Sequence, residues 1–110
     1  MMDKFRTIYI TQPIHDFAAL ANYCQNIRFL LPGNEDDLQT VLSICKEALA
    51  DFDAQRDALV IVGKSNFSFL TGIAVHTLIS SFPSSSIRLG VYLLTPSGSK
   101  DYRWDEVNIK

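Results

Sequence analysis

Ala58-Leu59-Val60-Ile61-Val62 is an unbroken run of five apolar residues, closed by Gly63. A strand with one wet face alternates polar and apolar side chains. A strand without alternation is covered on both faces, as in a parallel sheet with helices above and below it. Parallel strands cannot be joined by a hairpin, so the run demands crossover segments on either side. The flanking sequence supplies them. Phe5–Thr11 (FRTIYIT) is β-branched and aromatic and stops at Gln12-Pro13, a first strand. Asp16–Cys24 carries apolar residues at 17, 20, 21 and 24, the spacing of a short helix that Asp16 can cap. Ile27–Leu31 is a second strand, stopped by Pro32-Gly33. Asn34 opens a second helix, with Glu35, Asp36 and Asp37 in its first turn, where carboxylates oppose the helix dipole. Leu38, Val41, Leu42, Cys45, Leu49 and Phe52 form its apolar stripe.

The apolar run is the third strand. Asn66–Phe82 reads as a third helix, with Phe67, Leu70, Ile73, Ala74, Leu78 and Ile79 on one wide face. Pro83 and the serines at 84–86 make a loop, and Ile87–Leu94 is a fourth strand. A turn at 95–99 leads to a fifth, Tyr102–Ile109, which closes an antiparallel hairpin at one edge. The order βαβαβαββ predicts an α/β fold of the Rossmann or flavodoxin-like kind. It is a three-layer sandwich with strand order 2-1-3-4-5, mostly parallel, with the last strand antiparallel.

At 110 residues the chain reads as a single domain spanning 1–110. Ten basic and twelve acidic residues give a net charge of −2. That balance excludes a dedicated basic nucleic-acid binder and an acidic tail. Cys24 and Cys45 both fall on apolar sides of helical patterns and read as small core residues. With His15 and His76 they lack the short spacing of a metal site, and no cofactor is expected. The first residues run straight into a strand pattern rather than a signal peptide, and no apolar stretch reaches a membrane span. The expected setting is a cytoplasm.

In a sheet of this order, ligands bind beyond the carboxyl ends of the strands, where the order reverses, here between strands 1 and 3. Thr11, Gln12 and His15 come from one side of that point, and Gly63, Lys64, Ser65, Asn66 and Ser68 from the other. Both segments lead into a helix N-terminus, where outward N–H groups favour an anion, and Lys64 adds a charge. The same residues also serve as helix caps. Gly63-Lys64-Ser65 is not a phosphate-binding P-loop, because position 58 is alanine and 58–62 is strand. His15 beside Asp16 is the pair that could support acid–base catalysis, although neighbours at a helix start do not face each other. Tyr102 and Trp104 share one side of the last strand and could serve a dimer interface.

The opening Tyr9-Ile10-Thr11-Gln12-Pro13-Ile14-His15-Asp16 resembles that of a group of small uncharacterised α/β proteins, many of them phage-encoded. Leu59–Gly63 and Asn66 fit that group's later strand and helix start, with Lys64-Ser65 inserted between them. The resemblance implies the α/β fold and a phage or prophage origin, and no activity. Ile8-Tyr9-Ile10 before Pro13 is also similar to the opening of nucleoside deoxyribosyltransferases. Their catalytic glutamate has no counterpart, because 64–100 holds no carboxylate. The expected function is therefore binding of an anionic or nucleotide-like small molecule, or of a host protein. The alternatives are a hydrolase or transferase using His15 and Asp16, and a structural homo-oligomer.

Overall fold

The structure, a computed structural model, describes residues 4–13, 17–31, 37–63, 65–79, 86–94 and 100–108. Its elements are β1 (Phe5–Ile10), a 3-10 helix at Ala18–Asn22, β2 (Cys24–Phe29), α1 (Leu38–Ala48), β3 (Asp57–Val60), α2 (Ser65–Ile79), β4 (Ser86–Leu94) and β5 (Lys100–Asn108). The five strands form one sheet in the order β2-β1-β3-β4-β5. β1 pairs in parallel with β2 and β3, β3 pairs in parallel with β4, and β5 closes antiparallel on β4. The expected α/β fold and strand order are both present.

The sheet is covered on its two faces by different means. Tyr9 and Leu59 pack with Val41, Cys45 and Leu49 of the α1 region and with Phe67, Ala74 and Val75 of α2. Ile8, Ile10, Ala58 and Val60 face the other way, onto Phe17, Leu20, Cys24 and Tyr102, with Trp104 against the same cluster. All four residues of β3 are buried, Asp57 among them, whereas of the apolar run at 58–62 Ile61 is exposed and Val62 half-buried beyond the strand's end. The third layer is thus a five-residue 3-10 helix with aromatic side chains, rather than a full α-helix.

Several boundaries differ from the sequence pattern. The segment expected as a first α-helix is a 3-10 helix ending at Asn22, with Tyr23 as its C-cap, and Cys24 begins β2 instead of ending a helix. β2 lies at a sheet edge, where a strand need not be apolar throughout, so Gln25, Asn26 and Arg28 are exposed within it. Leu30 and Leu31 follow β2 as core residues, donating their N–H groups to Ile10 O and Thr11 O. β3 stops at Val60, because the N–H of Val62 donates to the Thr11 hydroxyl rather than to a ladder carbonyl. α1 is capped by Asp37, whose carboxylate accepts from the Thr40 N–H at 3.1 Å and the Thr40 hydroxyl at 2.6 Å. Those two bonds hold the Asp37 carboxyl below the usual carboxylate range. Leu38 and Ile73, both expected on buried stripes, are exposed, and Thr71 is buried on α2 instead, its hydroxyl donating to Phe67 O. The turns expected at 32–33, 83–85 and 95–99 lie outside the described residues.

Candidate functional site

The carboxyl ends of β1 and β3 are adjacent, and the residues there are tightly bound to one another. Thr11 is fully buried. Its N–H and hydroxyl both donate to Val60 O, and the hydroxyl accepts from the Val62 N–H at 3.1 Å. Gly63 turns the chain with φ 98°, a backbone region that strains other residues. A Cβ on Gly63 would lie 1.9 Å from Gln12 Oε1, so Gln12 and Gly63 meet across the strand-order reversal. α2 starts two residues later, with Asn66 exposed and Ser68 half-buried in its first turn. Thr11, Gln12, Gly63, Asn66 and Ser68 are thereby assigned to one end of the sheet. His15, Asp16 and Lys64 lie outside the described residues, as does the Ser65 side chain.

The opposite edge, where the parallel strands begin, holds a concavity of about 700 Å³. Lys4, Arg6, Arg56 and Arg88 line it, together with Gln25, Gln55 and Glu106. Sequence reasoning missed this cluster, because its cations lie at positions 4, 6, 56 and 88 and only the β-pairings bring them together. The cations differ in what already holds them. Arg6 forms a fork on Asp57, with Nε to Oδ1 at 3.0 Å and Nη2 to Oδ2 at 2.6 Å, and also donates to Asp51 O. Asp57 is fully buried, and its carboxylate also accepts from the Asp53 N–H. The hydrogen bond to Asp57 raises the pKa of Arg6, so this guanidinium is charged at any working pH. Arg56 pairs with Asp53 at 2.9 Å. The Gln55 N–H and Arg56 hold the Asp53 carboxyl below its usual range.

Arg88 is different. It donates to Gln55 O at 2.7 Å and lies 5.8 Å from the centre of the Phe5 ring, a cation–π distance. Among the described residues no carboxylate within ion-pair distance answers Arg88 or Lys4. Glu106 is the cross-strand neighbour of Arg88, yet the two make no ion pair. Beneath the cations is an aromatic floor, with Phe5 edge-on to Trp104 at 4.9 Å and Tyr23 edge-on to it at 5.5 Å. Trp104 Nε1 is buried without a hydrogen-bond acceptor among the described residues. A buried donor left that way costs about 1–3 kcal/mol.

Tyr102 and Trp104, expected as interface residues, pack their rings within this chain. Tyr102 is 7% exposed, and the indole stacks beside it at 6.1 Å. β5 remains one edge of the sheet, and on its other side Arg103 grips Asp105. His76 is exposed on α2, in a shallow groove with Ser68, Phe69 and Gly72. Cys24 and Cys45 are free thiols buried on opposite faces of the sheet. Among the described residues no group of three or more histidine, cysteine or acidic side chains is placed to hold a metal ion. No described helix is long and apolar enough to cross a membrane. No family model, no curated protein and no solved structure matches this chain.

Proposed function

We propose that the protein acts by binding a small anionic molecule without forming or breaking a covalent bond, and that the basic concavity at the start of the strands is where it binds. The observation that carries this reading is the convergence of four cationic side chains on one concavity in a chain of net charge −2. Asp57 and Asp53 already answer Arg6 and Arg56, and an anion seated at Lys4 and Arg88 would offset the repulsion that is left. An arginine fork can pair with two oxygens of a carboxylate or of a tetrahedral phosphate, and the volume lies within the range of small-molecule sites. The cytoplasmic setting and the phage likeness fit this reading without adding to it.

A second reading places the anion at the carboxyl end of the sheet, on the N-terminus of α2 beside Lys64. The positive φ of Gly63, two residues before that helix, favours it. Hydrolysis or group transfer through His15 and Asp16 has no described geometry behind it, since both residues lie outside those described.

One titration separates the two places. Inorganic phosphate added to ¹⁵N-labelled protein should shift the amides of Lys4, Arg6, Arg56 and Arg88. Arg88→Gln should weaken that binding about tenfold, and added salt should weaken it in the wild type. Shifts confined to Thr11, Gly63 and Asn66 would instead support the second reading. Shifts at neither end would remove anion binding at both.

A further inference from the structure

We infer that the outer face of α2 is a dimer interface, on which a second copy of this chain lays its own α2 antiparallel, about a two-fold axis between Gly72 and Ile73. This is independent of the basic concavity, none of whose lining residues belongs to α2. The composition of the helix is what calls for a partner. α2 runs for 15 residues without an aspartate, glutamate, lysine or arginine, in a chain that is 20% charged. Its inner side buries Phe67, Thr71, Ala74 and Val75. Its outer side exposes Asn66, Phe69, Gly72, Ile73, His76 and Thr77, whose spacing makes one stripe along the helix. Phe69 is 70% exposed and Ile73 37%. An outer helix face in a globular protein ordinarily carries charge, and a face that carries aromatic and branched apolar side chains instead marks a contact.

The occupant follows from the shape of the stripe and from its lack of charge. A two-fold contact uses the same patch twice, so the patch must fit itself. A Cβ at Gly72 would meet nothing within 4 Å, so the helix has a notch there, with the branched side chain of Ile73 next to it. With the axis between 72 and 73, Ile73 of each copy enters the notch at Gly72 of the other. Phe69 of each copy then lies against the imidazole of His76 in the other, an aromatic pair made twice. The bare backbone at Gly72 lets the two helices come close enough for both contacts. Such an axis also sets each residue near its own counterpart, so a charge on the stripe would repel its copy. The stripe has no acid, lysine or arginine to do so. Other outer surfaces do carry charge, with Lys46 and Glu47 exposed on α1 and Arg103 exposed on β5. A charged partner of another kind would find no counter-charge on α2.

The extent of the contact sets its strength. At about 1.5 Å per residue, the stripe from Asn66 to Thr77 is about 16 Å long. A contact centred on one pair of helices of that length lies at the small end of specific interfaces, so the dimer is reversible and depends on concentration. At low concentration, where the monomer prevails, a side chain at position 72 meets nothing. Once the dimer forms, the same side chain occupies the space that Ile73 of the second copy needs.

The test is sedimentation of the whole chain between about 10 μM and about 1 mM, where monomer should convert to dimer. Over the same range, the amide resonances that move with concentration should be those of 66–77. Phe69→Ser removes the most exposed ring of the stripe and should weaken association about tenfold. Gly72→Leu is the deciding variant. It adds apolar surface at a place with room for it in the monomer, so a face that is merely adhesive would associate more tightly. Filling the notch should instead weaken the dimer about tenfold. Both positions are exposed, and the amide spectrum checks that each variant is folded. Should Gly72→Leu fail to fold, Phe69→Ser and the map of moving amides decide the matter. A monomer at about 1 mM would overturn the inference, as would tighter association of Gly72→Leu or unchanged association of Phe69→Ser. Concentration-dependent shifts confined to 100–108 would place the contact on the β5 edge and overturn it equally.

Discussion

Gly90 lies opposite Trp104 in the β4–β5 ladder, and a Cβ there would fall 2.6 Å from the indole ring and 2.9 Å from Val60 Cγ2. The glycine is what lets the tryptophan lie on the sheet and form the floor of the concavity. Gly90→Ala should therefore lift the indole, destabilise the fold by about 1–3 kcal/mol and shift the tryptophan emission. Chemical denaturation followed by fluorescence checks both effects. Gly72 has the opposite surroundings. A Cβ there meets nothing within 4 Å, and the residue is exposed in the middle of α2. Gly72→Ala should stabilise the protein by about 0.5–1 kcal/mol, through the helix preference of alanine alone. Neither role can be told from the letter G in the sequence. One depends on a ring fourteen residues along the chain, and the other on there being nothing nearby.

α1 shows what an element's own sequence can settle. The acidic run predicts a helix opened by Asn34 with Glu35, Asp36 and Asp37 in its first turn; the described helix starts at Leu38, with Asp37 as its cap and no acid in its first turn, while 34–36 lie outside the described residues. Which acid caps it is decided by the bonds Asp37 makes to Thr40. Because those bonds lower the Asp37 pKa, its contribution to stability is present above the unfolded carboxylate value of about 4 and is lost as pH falls through the folded value. The same sign applies to Asp53, lowered by the Gln55 N–H and Arg56, and to Asp101, lowered by the Tyr23 hydroxyl at 2.6 Å. The melting temperature should thus fall as pH drops below about 4. In an Asp37→Asn variant it should be a few degrees lower than wild type at pH 7, and the gap should narrow at pH 3. A gap that stayed constant with pH would show that Asp37 acts through something other than its charge.

At the scale of the whole molecule, Arg6 and Asp57 join the first strand to the third across 51 positions of sequence, with the carboxylate fully buried. Removing one partner leaves the other short of its bonds. Asp57→Ala should destabilise the fold by about 3 kcal/mol, measured by urea denaturation, and should loosen the wall of the concavity at Arg6. The thiols make a contrasting case. Cys24 and Cys45 are buried on opposite faces of one sheet, so adding a reductant should leave the melting temperature unchanged. A clear fall on reduction would contradict this arrangement. The sequence by itself determined the alternation of strands and helices, the order β2-β1-β3-β4-β5 and the antiparallel end. Those follow from patterns within each segment, such as the unbroken run at 58–62, and from the rule that crossovers are right-handed. It also pointed to the meeting of Thr11, Gln12 and Gly63, because strand order brings the ends of β1 and β3 side by side. Only the tertiary structure decided that Lys4, Arg6, Arg56 and Arg88 share one concavity, that Tyr102 and Trp104 turn inward, and that β2 is mostly exposed. Residues scattered along a chain leave no local pattern. They are gathered by strand pairing and register, which depend on the packing of every element at once.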